Sequence, residues 1–226
     1  MTEIRFESVT HRYGDRPVLA DVTLDLTERR IGIVGANGSG KSTLARMING
    51  LVLPTGGRVT VDGLHTARDG RKVRRKVGFV FTDPDHQIIM PTVAEDIAFS
   101  LRRTTLPATE RAARVAAVLA EFGLAGHAEH PTHLLSGGQK QLLALAAIMV
   151  TEPEVIVADE PTTLLDLRNT RRVAQTLAAL PQQVIVVTHQ LGLLADFDRV
   201  LVVDAGRVVA DGQPGESIEF YRRLVE

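Results

Sequence analysis

Residues 35–42 read GANGSGKS and follow directly on the apolar run IGIV at 31–34. The string satisfies the spacing G-x-x-x-x-G-K-[ST] in full, and helix-forming residues begin at Thr43. A strand, a glycine turn and a helix in that order are the local unit from which α/β sheets are built. Gly35, Gly38 and Gly40 let the backbone curl so that successive N–H groups point inward at an anion, aided by the positive end of the following helix.

The residues at the end of the string make that anion a triphosphate. Lys41 is spaced to reach β- and γ-phosphates, and Ser42 offers a hydroxyl to a magnesium ion bridging them. Asn37, Ser39 and Thr43 complete the candidate binding stretch, and a nucleoside triphosphate with Mg2+ is the expected ligand pair.

Along the rest of the chain, 4–9 and 18–26 alternate apolar and polar residues around the turn-like Tyr13-Gly14-Asp15 and predict an antiparallel lobe, joined by 58–61. A helix is expected over 43–51, a buried strand over 77–81, and helical pattern over 93–125. Helix at 139–150, strand at 155–158, helix at 169–180 and strand at 184–187 then alternate, as a parallel sheet requires; 200–203 and 207–210 read as a last hairpin before a terminal helix. The expected fold is therefore α/β: a P-loop NTPase core with a mainly parallel sheet, an antiparallel β lobe and an inserted α-helical lobe at about 83–150. All 226 residues are expected to form one nucleotide-binding domain.

Charge narrows the partners. With 26 basic against 27 acidic residues the chain has no electrostatic case for wrapping a polyanion, so nucleic acid is not expected as a partner. There is no cysteine for a disulfide or thiolate site, and the start MTEIRFESV lacks the basic and apolar regions of a signal peptide, which points to the cytoplasm. The longest apolar run, 142–150, is about half of the ~20 residues a membrane-spanning helix needs, so any membrane role is expected to pass through a partner.

Two further places carry chemistry. The strand at 155–158 runs into Asp159 and Glu160, at the carboxyl end where α/β sheets place ligands. Asp159 can hold magnesium alongside Ser42, and Glu160 can serve as general base toward an attacking water. Residues 135–139 read LSGGQ; Ser136, Gly137 and Gly138 precede a helix at Gln139 and make a second phosphate cradle of small residues. A single nucleotide rarely needs two cradles from one chain. A head-to-tail pair with twofold symmetry would instead set each LSGGQ against the other copy's P-loop, with ATP between them.

With both strings present, the chain resembles the nucleotide-binding subunits of ATP-binding cassette transporters over nearly its whole length, LSGGQ being the signature of that family. The resemblance implies that Tyr13 stacks on adenine, that 162–166 (TTLLD, ending at Asp166) forms the loop crossing to the opposite subunit, and that His189 is the switch histidine at the γ-phosphate. It also exposes a departure: where the family usually has a glutamine contacting magnesium and the attacking water, this chain has Thr82, which is shorter. Slower or differently coupled hydrolysis is the expected consequence.

The segment DPDHQ at 83–87 and the following 91–99 are similar to the subgroup serving energy-coupling factor importers of vitamins and transition metal ions, and Gln87 falls where that subgroup couples to the membrane. The implied partners are a transmembrane coupling protein, a substrate-binding membrane subunit, and a second copy or related ATPase. The implied location is the cytoplasmic face of the membrane, and the short form resembles the biotin transporter's ATPase. An alternative reading is a soluble cassette ATPase acting on nucleic acid or ribosomes, although such proteins commonly carry paired cassettes or long insertions; a GTP switch would leave LSGGQ without a use. The basic cluster at 68–76 is read as a solvated helix face. His127, His130 and His133 are spaced like metal ligands, but Pro131 breaks the helix that would align them. Phe220 and Tyr221 are expected to anchor the terminal helix.

Overall fold

The computed structural model describes residues 1–226. Strands β1 (Ile4–Tyr13) and β2 (Arg16–Leu26) pair antiparallel from Ile4 opposite Leu26 to Tyr13 opposite Arg16, so the hairpin runs to the Gly14-Asp15 turn. β3 (Arg30–Val34) is buried at every position and feeds α1 (Lys41–Ile48). Helix α1 starts two residues before the expected Thr43, because Gly40 at φ +108° turns the chain straight into it; it ends at Asn49 and Gly50, the latter at φ +71°. β4 (Gly56–Val61) lies against β1 as expected, and β5 (Leu64–His65) closes a four-stranded sheet in the order β2-β1-β4-β5. α2 (Gly70–Lys76) carries the basic cluster, with Arg71, Lys72, Arg74 and Arg75 exposed, and leads to β6 (Val77–Val80).

The stretch expected to be helical from 93 to 125 is two helices, α3 (Val93–Ser100) and α4 (Ala108–Glu121). The first ends with Leu101 as its C-cap, and Pro107 stands as the N-cap of the second. α3 opens on a reciprocal capping box between Thr92 and Glu95. α5 (Gly137–Met149) begins two residues earlier than the pattern predicts, because Ser136 and Gln139 form a second capping box. β7 (Val155–Asp159), α6 (Leu167–Ala179), β8 (Gln183–Val187), β9 (Arg199–Asp204), β10 (Arg207–Gly212) and α7 (Pro214–Val225) follow.

Two compact units result. One comprises 1–79, 154–160 and 180–226; the other comprises 80–153 and 161–179 and so takes in α6 as well as the expected helical stretch. Within the first, a six-stranded sheet runs β10-β9-β3-β8-β7-β6. β9, β3, β8 and β7 are mutually parallel, and β10 is antiparallel to β9. β3, β7 and β8 are buried throughout, and their apolar runs at 31–34, 155–158 and 184–187 are what a parallel strand covered on both faces requires. Arg199 ties the β9-β10 edge through Asp211 at 2.6 Å and Glu28 at 3.0 Å. Phe220 is exposed; Ser217 and Ile218 are the buried residues of α7 that seat it, together with Pro214.

Candidate functional site

Strand order in the six-stranded sheet decides where the chemistry gathers. β3, β8 and β7 are neighbours and parallel, with Ile33 opposite Val187 and Val187 opposite Asp159. The chain therefore leaves all three strands at the same edge: Gly35 after β3, Thr188 and His189 after β8, Asp159 and Glu160 at the end of β7. Thr188 donates its N–H to the Ile33 carbonyl at 3.1 Å and Glu160 its N–H to the Val187 carbonyl at 2.9 Å, which stitches the three exits together.

The glycine loop at that edge can be built only from small residues. Gly35 adopts φ +152°, and a Cβ there would lie 2.1 Å from the Val203 carbonyl oxygen. At Gly40, φ +108°, it would lie 2.8 Å from the Val18 carbonyl oxygen. Lys41 Nζ donates to the carbonyls of Gly35 and Ala36, both at 2.8 Å, so the loop is folded around its own ammonium group. Burial pushes the Lys41 pKa down, against the attraction of Glu160 and Asp159. The Ser39 hydroxyl is buried in the loop without a hydrogen-bond partner, an orphan that an incoming phosphate oxygen can satisfy.

Ser42 Oγ donates to Asp159 Oδ1 at 2.7 Å, and Asp159 is 1% exposed. These are two hard oxygen donors side by side, the donor chemistry magnesium takes. Arg46 reaches the other carboxylate oxygen of Asp159 at 3.1 Å. Sequence reading missed Arg46, although four residues after Ser42 on one helix is the spacing that puts two side chains on the same face.

Glu160 sits at φ +52°, left-handed for a residue with a side chain, and its Oε2 lies 2.8 Å from His189 Nδ1. The histidine is half-exposed and the carboxylate mostly covered, so the dyad faces outward at the sheet edge. Tyr13 is 52% exposed at the β1-β2 tip, held edge-on by buried His11 at 4.6 Å between ring centroids. Opposite it, Arg16 comes within 4.0 Å of where a Cβ on Gly38 would sit. This second basic residue at the loop was also missed, its only signal being its place across the hairpin from Tyr13.

The second unit holds the other predicted residues. Ser136 Oγ accepts from the Gln139 N–H at 3.3 Å, while Gln139 Oε1 accepts from the Ser136 N–H at 2.8 Å, so the Gln139 side chain folds back on its own helix start. Gly138 is packed against Asn169, which hydrogen-bonds Asp166 through both its backbone N–H, 2.8 Å, and its carboxamide, 3.1 Å. Ser136, Gln139, Asp166, Arg168 and Arg171 line an open cleft of about 960 Å³. Thr82 is half-buried just past β6. The Gln87 carboxamide accepts from the Phe81 N–H at 3.2 Å and donates to the Ala144 carbonyl at 3.1 Å, so it braces the turn at 84–86 from inside. The exposed apolar residue of that segment is Ile89, 67% accessible, which sequence reading did not single out.

The sequence and the fold both have known counterparts. The ABC transporter family profile matches residues 19–163. An ABC transporter ATP-binding protein of Deinococcus radiodurans is 57% identical over 219 residues, 97% of each chain. The biotin transport ATP-binding protein BioM of Rhizobium etli is 48% identical over 221 residues, 98% of each. Among solved structures, cbiO1 of Clostridium perfringens, part of the ABC transporter complex cbiONQ, superposes with a TM-score of 0.86 at 31% identity, covering 98% of this chain and 92% of that one.

Proposed function

This chain belongs to the ABC transporter family and is an ATP-binding ATPase of it, and on that premise we propose that it energises an energy-coupling factor importer, with biotin as the transported vitamin. The observation that carries the ATPase chemistry is the joint exit of β3, β7 and β8. It sets Lys41, the Ser42–Asp159 pair and the Glu160–His189 dyad along one edge of one sheet. Support for the importer comes from the likeness to BioM over 98% of both chains and from the 83–99 segment.

In this reading the N–H groups of the loop and α1 take the triphosphate, and Lys41 exchanges the Gly35 and Ala36 carbonyls for phosphate oxygens. Tyr13 stacks on the adenine. Asn37, Gly38, Ser39 and Thr43 complete the contacts. Ser42 and Asp159 would hold Mg2+, which would supply charge neutralisation to the triphosphate. Glu160 accepts a proton from water as that water attacks the γ-phosphorus and the bond to the bridging oxygen breaks, leaving ADP and phosphate. His189 orients Glu160 and reaches the γ-phosphate. Thr82, shorter than the usual glutamine, leaves the attacking water held less directly.

Two copies, or one copy with a related ATPase, pair head to tail so that Ser136, Gly137, Gly138 and Gln139 of one close over the ATP of the other, with Asp166 at the crossing loop. No helix is long and apolar enough to cross a membrane. In the proposed assembly, transport is driven through a transmembrane coupling protein and a substrate-binding membrane subunit, with the ATPase on the cytoplasmic face. Gln87 acts there by holding the turn at 84–86 in place, and Ile89 supplies apolar contact. Uptake of labelled biotin by cells lacking the chain, with and without the wild-type or Glu160→Gln protein restored, tests the reading. Uptake restored only by the wild type supports it. Uptake unaffected by loss of the chain removes biotin as the substrate.

A further inference from the structure

We infer that His127 is a positioning residue for the LSGGQ segment, acting through Gln139, and that the protein fixes its imidazole in the Nδ1–H tautomer to do so. The inference rests on the reading above in one respect only, that LSGGQ takes part in ATP hydrolysis.

The hydrogen-bond geometry assigns every proton. Gln139 Oε1 lies 2.8 Å from the Ser136 backbone nitrogen, which can only donate, so the carboxamide oxygen faces Ser136 and the amide NH2 faces away. That NH2 lies 3.0 Å from His127 Nε2. The amide offers only donors, so Nε2 must be the bare, accepting nitrogen and the ring proton must sit on Nδ1. Nδ1 in turn lies 2.8 Å from His130 Nδ1, which must accept and carry its own proton on Nε2. Reversing the Gln139 amide would set its NH2 against the Ser136 N–H, donor against donor. One self-consistent arrangement remains: Gln139 donates to His127, and His127 donates to the exposed ring of His130.

The consequence falls on Ser136. Its N–H and hydroxyl are both engaged by Gln139, and the Gln139 carboxamide is anchored at its far end by His127. Without that anchor the carboxamide is free to rotate toward solvent, and the helix start at Ser136 loses the side-chain half of its capping box. The spacing of His127, His130 and His133 that resembles a metal site thus has a different use, in which two imidazoles and a carboxamide form a chain ending on the helix start.

The test uses the full-length purified chain. Two-bond proton–nitrogen spectra of the 15N-labelled wild type at pH 8 are expected to show His127 protonated on Nδ1 and bare on Nε2. His127→Phe keeps the ring and removes the acceptor; kcat for ATP hydrolysis is expected to fall about fivefold, the weight of one neutral hydrogen bond, with KM for ATP within about twofold of wild type. His127→Gln places a carboxamide oxygen where Nε2 stood and is expected to recover kcat to within about twofold of wild type. An Nε2–H tautomer at His127 overturns the inference whatever the rates are. So does a His127→Phe protein hydrolysing at the wild-type rate, or a His127→Gln protein as slow as His127→Phe. If the wild type hydrolyses no ATP, the functional reading fails by itself, and the tautomer still decides whether the hydrogen-bond chain exists.

Discussion

Replacing Gly138 with alanine disturbs the link between LSGGQ and the loop ending at Asp166, by an amount that the contacts set. A methyl group at 138 would stand 2.3 Å from Asn169 Oδ1, 2.4 Å from its Cγ and 2.8 Å from its Cβ. Ordinary contact needs roughly 3.5 Å or more, so the carboxamide must retreat by about 1 Å. It is not free to do so without loss, because it donates to Asp166 Oδ2 at 3.1 Å. Overpacking of this kind costs about 1–3 kcal/mol, and the lost hydrogen bond about 1 kcal/mol more. Alanine in place of glycine inside a helix returns about 0.5–1 kcal/mol. The net destabilisation is about 2 kcal/mol, which for a chain of this size lowers Tm by about 4–8 °C. Thermal melts followed by ellipticity read the first quantity, and steady-state ATPase assays read the second: hydrolysis falls with Asp166 displaced, while ATP still binds the P-loop with wild-type affinity. Asn169→Ala in the Gly138→Ala background removes the two closest atoms and is expected to recover about half of the lost Tm. A Gly138→Ala protein as stable and as active as wild type would falsify the packing argument. So would an Asn169→Ala change that adds to the damage instead of relieving it.

Three other outcomes follow from the same geometry. Glu160→Gln keeps the shape of the dyad but removes the base; hydrolysis should fall by about 10²-fold or more with ATP binding retained, and turnover near the wild-type rate would take Glu160 out of the mechanism. Thr82→Gln should change the ATPase rate or its coupling to uptake, and a variant unchanged in both would show that position 82 does not govern the attacking water. Burial would raise the Asp62 carboxyl, but the Lys76 ammonium at 2.9 Å and the Glu3 N–H outweigh it and hold the pKa below the ordinary 3.8. That stabilisation is complete above pH about 4 and is lost as pH falls through the lower folded value. The Tm difference between wild type and Lys76→Met should therefore be widest at neutral pH and narrow below about pH 4; a constant difference across that range would refute it.

What the sequence determined by itself was local. The glycine loop was legible because its function is a backbone shape: three glycines, a lysine and a serine within eight positions specify the curl and its charge, and no distant residue is needed to see it. The Asp159–Glu160 pair was legible because a buried apolar run announces a strand whose end is an edge. LSGGQ was legible as a helix start with small residues, and the capping box later seen there is the same information read at atomic distance.

What only the tertiary structure decided was which distant pieces meet. The chain makes β3, then β7, then β8, but the sheet runs β3-β8-β7. That order brings His189 to 2.8 Å from Glu160, twenty-nine residues away. Periodicity carries no information about it, because strand order depends on how helices of particular size cover the sheet faces. Gln87 illustrates the same limit. Its place in the sequence resembles a coupling segment, yet its carboxamide turns inward to the backbone of Phe81 and Ala144, since buried peptide groups at an irregular turn require partners. Asn169 gave no signal at all, and His127 showed only a spacing that resembles a metal site. Each matters through one hydrogen bond or one close contact to the LSGGQ segment, and directional interactions of that kind exist only once the backbone around them has been placed.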